Sequence, residues 1–351
     1  MRDPCQQQLG SIPFTVITGV LTSRIARKQG LAAKLTAKVL ARDAANGADM
    51  AGLGIFDQGF YDRLGFGTVT YDHWISFDPA SITIDQKYRS PKRLTADNYK
   101  EIQYALINRI QPHGSINILQ EHSIHAELHW TTNGFGLGYY DGPNDELSHF
   151  VWIKPKGEYG PYDVIFYAFR TNDQFRDLMV LLKSLGDQVR MIRMREPSGI
   201  QLQDIIDQPF RHRGITAKGE YENIGKASAY NQSRILNIEE CIRKTRLPFG
   251  EIDFNLEIHD PVSQFLDKDD VWQGTSGKYT IHIGQDSKIE NGFSTSLPNM
   301  KASIGAFTRI WMGVRPATGL AATDNINAPQ SLLEELDILF RLPPPKAGWD
   351  Y

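Results

Sequence analysis

The chain has 351 residues, 41% hydrophobic and 23% charged, enough to bury a large core in two or three domains. Its 38 basic and 41 acidic side chains leave a net charge of -3, so no global field favours nucleic acid or an anionic membrane surface, and neither is expected as a partner. The two cysteines, Cys5 and Cys241, show no metal-type spacing and no dense disulfide pattern, and no apolar run reaches the roughly 18 residues of a membrane span. With no charged-then-apolar leader at Met1 to Gly10, a cytoplasmic protein is expected.

Residues 12–23 are apolar and β-branched and read as one strand, bulged at Gly19. A helix follows, with Leu31, Ala32, Leu35, Val39 and Leu40 at helical spacing and Asn46-Gly47 as its C-cap. Met50 to Ile55 reads as a strand, Gln58 to Leu64 as a helical turn, and Val69 to Phe77 as a further strand. Prolines near Pro79 and Pro91 mark a boundary, after which Asp97 to Arg109 reads as a helix.

The middle of the chain repeats this order. Gly134 to Tyr140 and Phe150 to Lys154 read as hairpin strands, followed by a strand at Tyr162 to Phe169, a helix at Thr171 to Leu185 and a strand at Gln188 to Arg195. Near the end, Glu251 to Ile258 and Lys278 to Ile283 alternate as strands, and Ser303 to Met312 and Ser331 to Phe340 read as helices. Pro343, Pro344 and Pro345 make the tail stiff and extended.

The chemistry concentrates at Arg27-Lys28-Gln29-Gly30-Leu31-Ala32, a basic turn with glycine between a strand and a helix. Backbone N–H groups of a first helical turn point outward, the helix dipole favours anions, and glycine permits close approach, which together suit a diphosphate. A helix that happens to begin with basic residues is the competing reading. Context favours the former. The six residues resemble motif A of the GNAT acetyltransferases, R/Q-x-x-G-x-G/A, and Phe56 to Gly67 (F-D-Q-G-F-Y-D-R-L-G-F-G) resembles that family's tyrosine followed by G-F/Y-G.

More narrowly, the chain resembles the enhanced-intracellular-survival (Eis) branch. That likeness implies an α+β fold of tandem GNAT-like domains, each a mixed sheet flanked by helices, then a sterol-carrier-protein-like α+β domain. The expected limits are 1–85, 86–247 and 248–351, with the coenzyme motif in the first domain only. The family places further strands and helices ahead of motif A, so the resemblance implies a first domain without its N-terminal part.

The resemblance also implies an activity: transfer of acetyl from acetyl-CoA, as co-substrate, to a small-molecule or lysine-type primary amine. Val20, Leu21 and Thr22 are expected to meet the pantetheine arm and thioester through their backbone. Arg27, Lys28, Gln29, Gly30, Leu31, Ala32 and Ala33 are expected around the pyrophosphate, with Phe56 and Asp57 near the thiol end. Tyr61 matches the general acid that protonates the departing thiolate, and the C-terminal carboxylate of Tyr351 matches the general base. A homo-oligomer, in the family a hexamer built from trimers, is implied as well. The alternative is a non-catalytic protein that binds an apolar ligand or partner through its C-terminal domain.

His122, His125 and His129 share a helical face, but H-E-x-x-H is absent, so packing is the favoured reading and no metal is expected. Gly134-x-Gly136-x-Gly138 reads as a hairpin rather than a nucleotide loop, and Arg190, Arg193 and Arg195 as a solvated strand face.

Overall fold

The computed structural model describes residues 11–55, 57, 59–210 and 222–349. In chain order, β1 (Phe14–Val16) leads to α1 (Leu31–Ala45), β2 (Met50–Gly54), β3 (Gly67–Thr68) and β4 (Asp72–Phe77). Next come β5 (Lys92–Leu94), α2 (Tyr99–Ile107), α3 (Glu121–Trp130), β6 (Phe135–Tyr139), β7 (His149–Pro155) and β8 (Tyr162–Ala168). They are followed by α4 (Asn172–Lys183), β9 (Ile192–Arg195), β10 (Ile224–Ser228), β11 (Asn231–Ile235) and α5 (Ile238–Arg243). The last part holds β12 (Ile252–His259), β13 (Gly277–Ile283), β14 (Lys288–Asn291), β15 (Asn299–Ser303), α6 (Ile304–Trp311), α7 (Ala317–Leu320), β16 (Ile326–Asn327) and α8 (Gln330–Leu339).

The two longest helices show how local sequence sets the elements. Helix α1 buries Ala33, Thr36, Ala37, Leu40 and Ala41 on one face, and it stops where Asn46 N–H turns back to Arg42 O and Asp43 O ahead of Gly47 at φ 92°. Helix α4 buries Phe175, Leu178, Met179, Leu181 and Leu182. Thr171 Oγ1 accepts from Gln174 N–H at 3.2 Å, and the Gln174 side chain accepts from Arg170 N–H at 2.7 Å, so this helix caps its own start.

The chain forms two compact units. One holds residues 11–70 with 229–345, and its first sheet runs β1-β2-β11-β3, with β1 parallel to β2 and β11 antiparallel to both neighbours. Its second sheet runs β14-β13-β12-β15-β16 over a core that includes Phe254, Leu256, Ile281, Phe307, Leu332 and Leu336. The two sheets are tied by buried groups. Arg234 of β11 donates to Asp260 Oδ2 at 2.5 Å and to the carbonyl of Leu64, and both ionic side chains are fully buried. A Cβ on Gly67 would lie 2.5 Å from the Gly305 carbonyl, so β3 meets α6 at a distance only glycine permits.

The other unit holds residues 71–228 with 346–349 around one sheet ordered β10-β4-β9-β8-β7-β6-β5. Its units of pairing correct two expectations. The strand expected at Val69 to Phe77 begins at Asp72 and pairs with β9 and β10 in this sheet, while β11, from later in the chain, lies between β2 and β3. By contacts, residues 229–345 join 11–70 in one unit, with the chain passing between the units at Thr70 and Ala229. The strand expected over residues 12–23 is the short β1, because its pairing with β2 ends once Ile17 N–H reaches Gly52 O at 2.9 Å. No described helix is long and apolar enough to cross a membrane.

Candidate functional site

Beyond Ile17 the chain leaves the sheet while β2 continues through Leu53 and Gly54, paired there with β11 on its other side. Gly19 at φ 67° makes the departure possible. Val20, Leu21 and Thr22 consequently lie off the strand where they were expected, with Leu21 91% exposed. A 3-10 turn, Arg24–Ala26, follows. Arg27 is extended and exposed, and the Gln29 side chain reaches back to Ile25 O at 3.5 Å.

The start of α1 has unusual backbone geometry. Lys28 and Gly30 both take positive φ, 62° and 74°, on either side of Gln29. Alternation of this kind curls successive N–H groups toward one side. Gly30 is the N-cap and, having no side chain, makes no capping bond to the N–H groups of Leu31, Ala32 and Ala33. A Cβ placed on Gly30 would meet no atom of the described residues within 4 Å, so among them the space above the turn is open. This contrasts with α4, whose start Thr171 and Gln174 close. The exposed α1 terminus thus combines first-turn N–H groups with no side-chain cap among the described residues, the positive end of a 15-residue helix dipole and the cations Arg27 and Lys28.

Ala33 and Ala37 of α1 pack into the same apolar cluster as Ile17, Leu53, Tyr61, Leu64 and Phe66. Tyr61 is 8% exposed and meets Phe60 and Phe66 edge-on, with ring centroids at 4.9 and 6.1 Å. Burial, and secondarily the nearby phenol of Tyr230, pushes its pKa above the ordinary tyrosine value, so it carries its proton at neutral pH. Gly65 at φ 81° turns the chain after Tyr61, and its missing side chain makes room for Ile304 and Arg234. Asp57 is exposed. Phe56 and Tyr351 lie outside the described residues.

The segment preceding the C-terminus is firmly held in the second unit. Ile116 N–H and Arg109 Nη2 donate to Ala347 O at 2.9 and 3.1 Å, and Trp349 is 1% exposed beside Ile102, Leu106 and Phe150. Arg109 went unremarked in the sequence, since a lone arginine after a helix carries no signal of its role. Of the other motifs, His125 packs between Tyr99 and His129, with ring centroids at 4.5 and 4.3 Å. Gly136 and Gly138 lie in β6, within the expected hairpin with β7. Arg193 and Arg195 do not form a purely solvated face, because they approach Asp163 at 3.9 Å and Asp72 at 3.8 Å.

Residues 238–347 match the sterol carrier protein domain family. A comparison with curated proteins gave no match. Among solved structures, the chain is similar to a GCN5-related N-acetyltransferase from Anabaena variabilis, with 13% identity, TM-score 0.75, and coverage of 98% of this chain and 84% of that one. It is similar to Eis1 from Mycobacterium abscessus at 15% identity and TM-score 0.74, covering 97% and 83% of the two chains. A GCN5-related N-acetyltransferase from Kribbella flavida gives 16% identity and TM-score 0.73 over 97% and 80%. The chain therefore has an α+β fold of tandem GNAT-like parts with mixed sheets, followed by a sterol-carrier-protein-like domain.

Proposed function

We propose that this chain is an Eis-type N-acetyltransferase that moves acetyl from acetyl-CoA to a primary amine on a small molecule or a lysine. The uncapped, basic start of α1 is the observation that carries the reading. Its free N–H groups, left-handed Lys28 and Gly30, and open space fit a pyrophosphate, and α4 offers no such terminus. The edge of β2 left by β1 supports the same reading, since an extended amide-bearing arm can add there like a strand.

In this reading the amine nitrogen attacks the thioester carbonyl, the C–S bond breaks, and Tyr61 gives its proton to the departing thiolate. Its raised pKa keeps it a donor. The C-terminal carboxylate of Tyr351 takes the proton that the ammonium must lose before attack. The protein works as a homo-oligomer, which sedimentation analysis tests.

Turnover of acetyl-CoA with a panel of amines tests the activity, and Tyr61→Phe tests the acid. The second reading, a non-catalytic binder of apolar ligands, draws on the sterol carrier match over 238–347. Absence of acetyl-CoA binding together with binding of a fatty acid or sterol would favour it.

A further inference from the structure

His149 begins β7, is fully buried, and uses only one of its ring nitrogens. Nδ1 lies 2.8 Å from Ser148 Oγ. That hydroxyl also lies 2.9 Å from Tyr139 O and accepts from Asp141 N–H at 3.2 Å, an arrangement in which it can accept from Nδ1–H. With its proton on Nδ1, the neutral ring presents a lone pair at Nε2 to a cation. Among the described residues Nε2 has no hydrogen-bond partner, and it stands 3.5 Å from Asp177 Oδ2.

Asp141 completes the cluster, with one ligand atom from each of the three residues within 4.8 Å of the others. Tetrahedral zinc, with bonds of about 2.0–2.2 Å, places its ligand atoms about 3.4 Å apart. The His149–Asp177 separation of 3.5 Å matches that edge. Asp141 has to rotate inward, and its side chain, 42% exposed and held by Arg89 at both oxygens, can do so once Arg89 leaves. At present Arg89 bridges the two carboxylates, at 2.7 Å from Asp141 and 2.6 Å from Asp177. It offsets one of two negative charges and leaves Nε2 unpartnered. Arg89 lies between regular elements, ahead of β5, with its side chain 43% exposed, so it can swing into solvent.

We propose that His149, Asp177 and Asp141 bind a divalent first-row transition ion of the zinc class, with Arg89 occupying the site as a competing cation when the ion is absent. The imidazole selects against magnesium and calcium, which prefer all-oxygen sites. Ser148, 2.8 Å from Nδ1, would accept a hydrogen bond from it and so hold the ring with Nε2 toward the ion. The ion would tie the start of β7 to α4 and to the turn after β6.

Cobalt(II) titration of the full chain, followed by visible absorption, tests the proposal, with zinc as competitor and magnesium as control. One ion per chain should bind with a saturable spectrum that zinc abolishes and magnesium leaves intact. His149→Ala should remove it, and Asp141→Asn, a half-exposed position that does not threaten folding, should weaken binding by about tenfold or more. Arg89→Met should tighten binding, an effect no purely structural role for Arg89 predicts. His129→Ala should leave the spectrum unchanged. No saturable spectrum, or one that Asp141→Asn and Arg89→Met leave untouched, would overturn the assignment.

Discussion

The Arg109 guanidinium lies over the Trp349 ring, 5.7 Å from its centroid. Arg109 also donates to the carbonyls of Leu106, Ile116 and Ala347 and to Asn117 Oδ1, so a buried cation is held by neutral acceptors and clamps the tail. Desolvation pushes its pKa down to about 10, still charged at neutral pH.

Trp349→Ala removes a large buried ring and should cost about 3–5 kcal/mol, read as a lower urea midpoint. If the terminal carboxylate is the base, the same change should lower kcat at protein concentrations and temperatures where the variant remains folded.

Tyr61→Phe keeps the edge-on contacts with Phe60 and Phe66 and removes only the hydroxyl. kcat should fall by about a hundredfold or more, with acetyl-CoA affinity unchanged in calorimetry. The change should also alter the alkaline stability profile. Because burial raises the folded pKa above the unfolded value near 10, the native state holds the proton longer, so this contribution is complete below about pH 10 and is lost as pH rises through the folded pKa. Phenylalanine at this position should flatten that decline in thermal melts taken across alkaline pH.

Gly30→Ala places a side chain where φ is 74° but where no atom lies within 4 Å. The cost is then conformational rather than steric, about 1–2 kcal/mol in a thermal melt. Relaxation of the turn should weaken acetyl-CoA binding beyond that stability loss.

Much of this architecture is legible in the residues because it is local. Helix α1 and its Asn46-Gly47 stop, helix α4 and the β6–β7 hairpin follow from periodicity and capping chemistry. Long-range pairing is not written locally. β11 reads N-Q-S-R-I, polar enough to pass for a loop, and becomes a central strand because Arg234 finds Asp260 and Leu64 O across the fold. Residues 18–23 fail in the opposite sense: they are apolar and β-branched but have no partner strand among the described residues. At the candidate site, the turn was visible as a motif. The positive φ of Lys28 was not, since nothing in a lysine announces it.

Asp260→Ala should be among the most damaging single changes. It strands the Arg234 guanidinium in a site with no exposure, where losing one partner of a buried pair costs about 3–5 kcal/mol. Asp260 also accepts from Thr275 N–H and Val262 N–H, at 2.9 and 3.2 Å, so circular dichroism melts should show a large loss.

The central claim is that the start of α1 holds the diphosphate of acetyl-CoA, and calorimetric titration of the full chain with acetyl-CoA measures it most directly. A saturable heat, weakened by Lys28→Glu while the thermal midpoint is retained, is the predicted result. No saturable heat with folded protein, or one indifferent to charge reversal at Lys28, would contradict it.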